Sequence, residues 1–117
     1  MNSEDLREFC LSLKCVTESF PFDETTLVFK IHKMFCLMSL DGDLRISIKN
    51  DPEKIVQLRE EYSAVNPGYH LNKTYWNTVN IDGTISSELI KEWIVESYDM
   101  IVQGLSKKLQ QELIEKQ

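Results

Sequence analysis

Two histidines, three cysteines and four glycines are all that 117 residues contain of the types on which most site chemistries depend. His32 and His70 stand outside any H-E-x-x-H pattern, and Cys10, Cys15 and Cys36 are odd in number with no C-x-x-C. The familiar zinc spacings are therefore excluded. The glycines form no phosphate-cradling loop, nucleophile elbow or dinucleotide fingerprint. Asp41-Gly42-Asp43 supplies two carboxylates of a calcium loop without its remaining ligands, and reads as a turn. No cofactor or metal is expected, and neither is an enzyme. No apolar run approaches about 18 residues, so no membrane span is expected. The acidic stretch from Met1 to Asp5 lacks a signal-peptide pattern. With cysteines that sit singly in apolar patterns, this predicts three reduced thiols and a cytoplasmic location. Neither low-complexity segments nor internal repeats occur.

The length fits one domain, residues 1–117, and 42% hydrophobic content is enough for a core without disulfide staples. The net charge is −6, which opposes simple nucleic-acid binding. Its distribution is uneven. Residues 1–25, 50–65 and 80–117 carry −4, −2 and −3, whereas 26–49 carry +2 and 66–79 carry +1. The positive segments are those that read as sheet. The expectation is a modestly basic sheet face on an acidic protein.

Along the chain, Leu6, Phe9, Cys10 and Leu13 have helical spacing, with Asn2 or Ser3 as the cap. Val16 to Glu24 reads as a loop whose Phe20 and Phe22 plug the core edge. Thr26 to Ile31 alternates, with Leu27, Phe29 and Ile31 on one face. A tight turn at His32-Lys33 leads to Met34–Leu40, apolar on both faces and so predicted to be a covered central strand. Asp41-Gly42-Asp43 is a hairpin signal. The next strand turns Leu44, Ile46 and Ile48 inward and Arg45, Ser47 and Lys49 outward. Asp51-Pro52-Glu53 starts a helix with Ile55, Leu58 and Tyr62 buried. A Pro67-Gly68 turn and an Asp82-Gly83 turn bracket a stretch whose alternation in Trp76–Ile81 predicts a strand. Ser86 or Ser87 caps a helix carrying Ile90, Trp93, Ile94, Ser97 and Ile101, and Gly104 ends it. Ser106 caps a last helix with Leu109, Leu113 and Ile114. The order α-βββ-α-β(β)-α-α predicts an α+β fold. Its antiparallel sheet is a three-stranded meander plus one or two later strands, with helices packed on one face.

These residues carry a resemblance. Lys33-Met34-Phe35, the run Leu44 to Lys49 followed by Asp51-Pro52-Glu53, Pro67-Gly68-Tyr69-His70-Leu71-Asn72-Lys73, Trp76-Asn77-Thr78-Val79, Ser97-Tyr98-Asp99 and Gly104-Leu105 resemble the MmcQ/YjbR family. The resemblance covers nearly the whole chain. It implies a compact α+β domain, with an antiparallel sheet backed by helices, and the DNA-binding activity by which the family is often described. One departure stands out: Ile31-His32 occupies the place of a glycine-containing turn before the Lys-Met-Phe.

The candidate contact residues are Lys30, Lys33, Arg45, Lys49, Tyr69, His70, Asn72, Lys73 and Trp76. Tyr69 and Trp76 have two readings, stacking platforms for bases or core rings with their polar tips bonded. The cations read as phosphate contacts or as solvated strand faces. His70 has no partner group for catalysis and more often satisfies a turn. Three functions follow, in order. The first is a DNA-binding domain using the basic sheet face and the Tyr69–Trp76 loop, with weak, salt-dependent affinity. The second is a module that binds a protein. The third, and least supported, is an enzyme or small-ligand protein built around His70, Asn72 and Lys73.

Overall fold

The computed structural model describes residues 1–115. Its elements in chain order are α1 (Ser3–Ser12), β1 (Thr17–Ser19), β2 (Thr26–Ile31), β3 (Lys33–Ser39), β4 (Arg45–Lys49), α2 (Pro52–Glu61), β5 (Val65–Pro67), β6 (Trp76–Asn80), α3 (Ser87–Gln103) and α4 (Lys107–Glu115). The six strands form one antiparallel sheet in the order β1-β2-β3-β4-β6-β5. The fold is α+β, and the meander continues through β6 as the alternation predicts. The short edge strand β1 escaped the sequence reading, whereas β5 and β6 are the two later strands it allowed.

The helices start where the sequence signals them. Asn2 caps α1 in a reciprocal pair with Asp5, and Asp51 accepts from the Glu53 and Lys54 amides at the start of α2. Ser86 and Ser106 each accept from the amide three residues on. The main core lies between the sheet and all four helices. Leu27, Phe29, Ile31, Ile46, Ile48 and Val79 meet Leu6, Cys10, Leu58, Ile90, Trp93, Ile94, Ile101 and Leu113 there. Trp93 packs edge-on against Tyr62, with ring centroids 5.3 Å apart. All three cysteines are free, Cys10 and Cys36 buried. A hydrogen bond with Cys10, and burial, push the Cys36 thiol well above its ordinary range, so it stays neutral.

A bulge sets the faces of β3. Phe29 pairs with Cys36 but Lys30 with Met34, so Phe35 is an extra residue. Phe35 and Cys36 consequently both face the helices, and both are in the main core. Ser97, fully buried on α3, fastens this point. Its hydroxyl donates to the Phe35 carbonyl at 2.6 Å and accepts from the Lys49 amide at 2.8 Å. On the opposite face β3 is not covered by a second layer of helices. A smaller cluster of Val28, Leu37 and Trp76, flanked by Met34 and Leu71, lies there instead.

Other details depart from expectation. Phe20 and Phe22 are exposed rather than plugged into the core. The segment between β1 and β2 turns on the Asp23 carboxylate, which accepts from the Thr25 and Thr26 amides. Five residues, Leu40 to Leu44, separate β3 from β4, because Ser39 and Arg45 are the last pair. Gly42 alone has a left-handed φ there, so the tight two-residue turn does not form. Ile114 is exposed, leaving Leu113 as the buried residue of α4.

Two glycines make contrasting predictions. A Cβ at Gly68 would lie 2.8 Å from the Trp76 Cβ and 3.0 Å from its carbonyl oxygen. Gly104 closes α3 with an ordinary right-handed φ of −83°, and a Cβ there meets nothing nearer than 3.5 Å. Gly68→Ala is expected to cost about 1–3 kcal/mol through overpacking. Gly104→Ala should be neutral, or stabilise by up to about 1 kcal/mol by restricting the unfolded chain. Urea titrations of both variants check the pair; equal effects would contradict the geometry.

Candidate functional site

Alternation along the strands sorts the predicted contact residues by face. Leu27, Phe29 and Ile31 face the helices, so Val28 and Lys30 face away; likewise Ile46 and Ile48 face the helices and Arg45, Ser47 and Lys49 face away. Three of the predicted cations therefore share the open face. Lys33 does not join them. It pairs with Ile31, a helix-side residue, which places it on the opposite face. His32 between them takes φ 63°, the left-handed conformation that glycine adopts most easily. That is a physical reason for a glycine at this turn, and histidine is among the residues that tolerate it.

The loop from Gly68 to Tyr75 lies over this face. Gly68 donates to the Trp76 carbonyl at 3.1 Å, which closes the loop's base. Asn72 shapes its tip. Its carbonyl accepts from the Tyr75 and Trp76 amides, and its side chain accepts from the Thr74 amide at 2.9 Å. Asn72 is thus a turn-forming residue. Lys73 bends back to donate to the Gly68 carbonyl at 3.2 Å. Trp76 is 7% exposed and belongs to the small core of this face, so its ring is closed to a partner. Tyr69 is the reverse case, 64% exposed. Its amide donates to Thr78 Oγ1 at 3.0 Å, and that hydroxyl pairs with Ser47 at 2.8 Å. His70, at φ 58°, holds its ring against Tyr69 with centroids 4.0 Å apart.

Arg59 was invisible as a site residue, because on α2 it reads as part of a solvated helix face. It reaches from the helix to the loop. Its Nε donates to Asn77 Oδ1 at 2.7 Å, and Nη2 donates to the carbonyls of Trp76, at 3.1 Å, and Lys73. Asn77 in turn donates to the Ile55 carbonyl at 3.1 Å. This bridge holds the loop relative to α2.

Two exposed aromatics end up beside two cations. The Arg45 guanidinium lies 5.8 Å from the Tyr69 ring centroid and the Lys49 ammonium 5.5 Å from that of Tyr75. Tyr75 was not among the predicted contacts, although it stands in the same aromatic-rich stretch. Between Tyr69 and the β1–β2 segment the face is hollowed into a groove of about 400 Å³. Its floor includes Leu37, Ser47 and Thr78, and Phe22, Asp23, Asp41, Arg45 and His70 stand around it. The Thr25 amide, against a smaller opposing effect of burial, holds the Asp23 carboxyl below its ordinary range, helped by Thr26. Asp23 is therefore ionised at neutral pH. Arg45 donates to Ser39 Oγ at 3.1 Å, while its Nε is out of solvent without a hydrogen-bond partner.

A family model described as YjbR matches residues 11–100. The chain belongs to the YjbR family. Among its relatives, the uncharacterized YbdF of Escherichia coli O157:H7 is 36% identical over 107 residues, covering 90% of this chain and 88% of that protein. The uncharacterized YjbR of Escherichia coli strain K12 is 27% identical over 117 residues, covering 98% and 99%. The crystal structure of Deinococcus radiodurans protein DR2400, with a DUF419 domain, superposes with a TM-score of 0.87 at 42% identity, covering 94% of this chain and 86% of that one. A Pseudomonas syringae protein shares the fold at 22% identity and a TM-score of 0.75, covering 86% and 98%. The overall fold described above is thus shared with both solved structures. No helix among the described residues is long and apolar enough to cross a membrane.

Proposed function

We propose that this YjbR-family domain is a cytoplasmic, non-catalytic nucleic-acid-binding module whose open sheet face takes single-stranded DNA in preference to duplex. The observation that carries the reading is the pairing of exposed rings with cations on one face, Tyr69 with Arg45 and Tyr75 with Lys49. Single strands are bound by such a combination, the rings stacking on bases and the cations meeting phosphates or base edges. A broad sheet face without a projecting helix suits an unpaired strand better than the major groove of a duplex. Lys30 extends the basic side of the face. Asp23 and Asp41 stand at the groove and repel phosphates, so the backbone is expected to run along the Lys30 and Lys49 side. The unpaired thiols suit a reducing compartment.

Few cations and a net charge of −6 set the expected affinity: weak, and falling with salt as if two to four phosphates were neutralised. For single strands that is a log–log slope of about −0.7 per phosphate. Fluorescence anisotropy with labelled single-stranded and duplex DNA, at low and moderate salt, tests this. Tyr69→Ala and Tyr75→Ala should each weaken single-strand binding by about 1–3 kcal/mol and leave the melting temperature nearly unchanged. Absence of wild-type binding to either DNA at low salt would refute the reading. A protein partner would then be the better proposal, because Phe20 and Leu40 are exposed beside Leu27 and Met38 in a shallow hollow near α1.

A further inference from the structure

The groove on the open face has features that a general strand-binding surface does not need. At about 400 Å³ it is within the range of small-molecule sites. Phe22 enters it from the β1–β2 segment and Tyr69 from the loop before β6. In the strand order these segments stand on opposite sides of β3, whose Leu37 is in the floor. Two large rings, both 64% exposed, thus flank an apolar base. That arrangement suits a flat ring placed between them.

The polar groups define the edges of that ring. Among the described residues Arg45 has one acceptor, Ser39 Oγ, which accepts from Nη2; Nη1 has none, while Nε is out of solvent. A guanidinium presents adjacent donors that match two adjacent acceptors. Asp41 also stands at the groove, exposed, with no side-chain partner among the described residues. An ionised carboxylate presents two acceptors that match two adjacent donors. Asp23 differs, since its carboxylate already accepts from Thr25 and Thr26. Guanine meets both requirements at once: O6 and N7 are an acceptor pair suited to arginine, and N1–H and N2–H₂ are a donor pair suited to a carboxylate. Adenine and cytosine each offer an exocyclic amine without that neighbouring ring N–H. A phosphate would be repelled by Asp41 and Asp23, so the groove selects for a base and not for the backbone.

We propose that the groove is a guanine-binding pocket, in which Phe22 and Tyr69 flank the base, Arg45 donates to its O6/N7 edge and Asp41 accepts from its N1/N2 edge. The inference deepens the reading of the open face as a nucleic-acid surface, and rests on that reading for guanine within a strand. Free GMP presents the same edges.

Two titrations of the full chain test it and separate the sources. In the first, GMP and AMP, equal in charge, are added to isotopically labelled protein and amide shifts are followed by NMR. GMP is expected to shift the Asp41, Arg45 and Tyr69 amides and to bind about tenfold more tightly than AMP. In the second, a short oligo-dT is compared with the same strand carrying one central dG; the dG should tighten binding about tenfold. Asp41→Asn, an exposed change in a loop, should abolish both preferences. Equal binding of the two strands together with equal GMP and AMP shifts would overturn the pocket while leaving the strand-binding surface intact. A GMP preference that Asp41→Asn removes, without oligonucleotide binding, would establish the pocket for free nucleotide and overturn the surface. A GMP preference that survives Asp41→Asn would overturn the assigned donor edge. No response in either titration would overturn both proposals.

Discussion

A Trp76→Ala variant is expected to lose about 3–5 kcal/mol of stability, measured by urea denaturation against the wild type. The ring is packed with Val28 and Leu37 and bordered by Met34 and Leu71. The surrounding backbone cannot collapse freely into the space it leaves. Trp76 is held in the ladder opposite Lys49, and its carbonyl accepts from Gly68 and Arg59. The lost transfer energy and the cavity therefore add. The opposite role makes an opposite prediction: a stacking platform would leave stability within about 0.5 kcal/mol, as exposed substitutions do, and weaken binding alone. A stable variant with impaired binding would reverse the assignment of Trp76 to the core.

Asn77→Leu is expected to cost about 2–4 kcal/mol, since it strands buried polar groups while keeping the side chain's approximate size. Asn77 is 1% exposed. Its loss leaves the Ile55 carbonyl without the amide donor and Arg59 Nε without its oxygen acceptor. A charged group deprived of a partner costs more than a neutral one. The double variant Arg59→Met/Asn77→Leu should be less damaging than the sum of the single changes, because removing the cation removes the group left unpaired. Amide exchange in residues 68–76 should accelerate in Asn77→Leu, as the loop's tie to α2 is weakened. Strict additivity in the double variant would show that the bridge contributes nothing as a unit.

The sequence discloses the long elements because their apolar residues repeat with a local period. Ile90, Ile94, Ser97 and Ile101 draw the buried stripe of α3, and Arg45, Ser47 and Lys49 are legible as an outward row. What it withholds depends on partners distant in the chain. β1 and β5 have three residues each, too few for a pattern, and exist through pairing with β2 and β6. Phe20 and Phe22 have the composition of core residues, but burial requires something to pass over them, which local sequence does not encode. Lys33 moves away from Lys30 because a bulge and a tight turn intervene, and both are set by pairing register. Arg59 and Asn77 meet only once α2 lies beside β6. Of the open face, then, the charged rows are readable in advance, whereas the groove and the bridge behind it are tertiary.

The brevity of β1 and β5 limits how a polypeptide can engage this domain. Each edge offers only three residues of backbone, and Pro67 withholds an amide from the β5 side. An extended peptide that docks by continuing a sheet needs a longer run of free donors and acceptors. Such a peptide has too little template at either edge, and so does a second copy approaching edge to edge. Any protein ligand would accordingly have to use the face or the helices, and fibrils grown by stacking sheets side by side would have no ready starting strand.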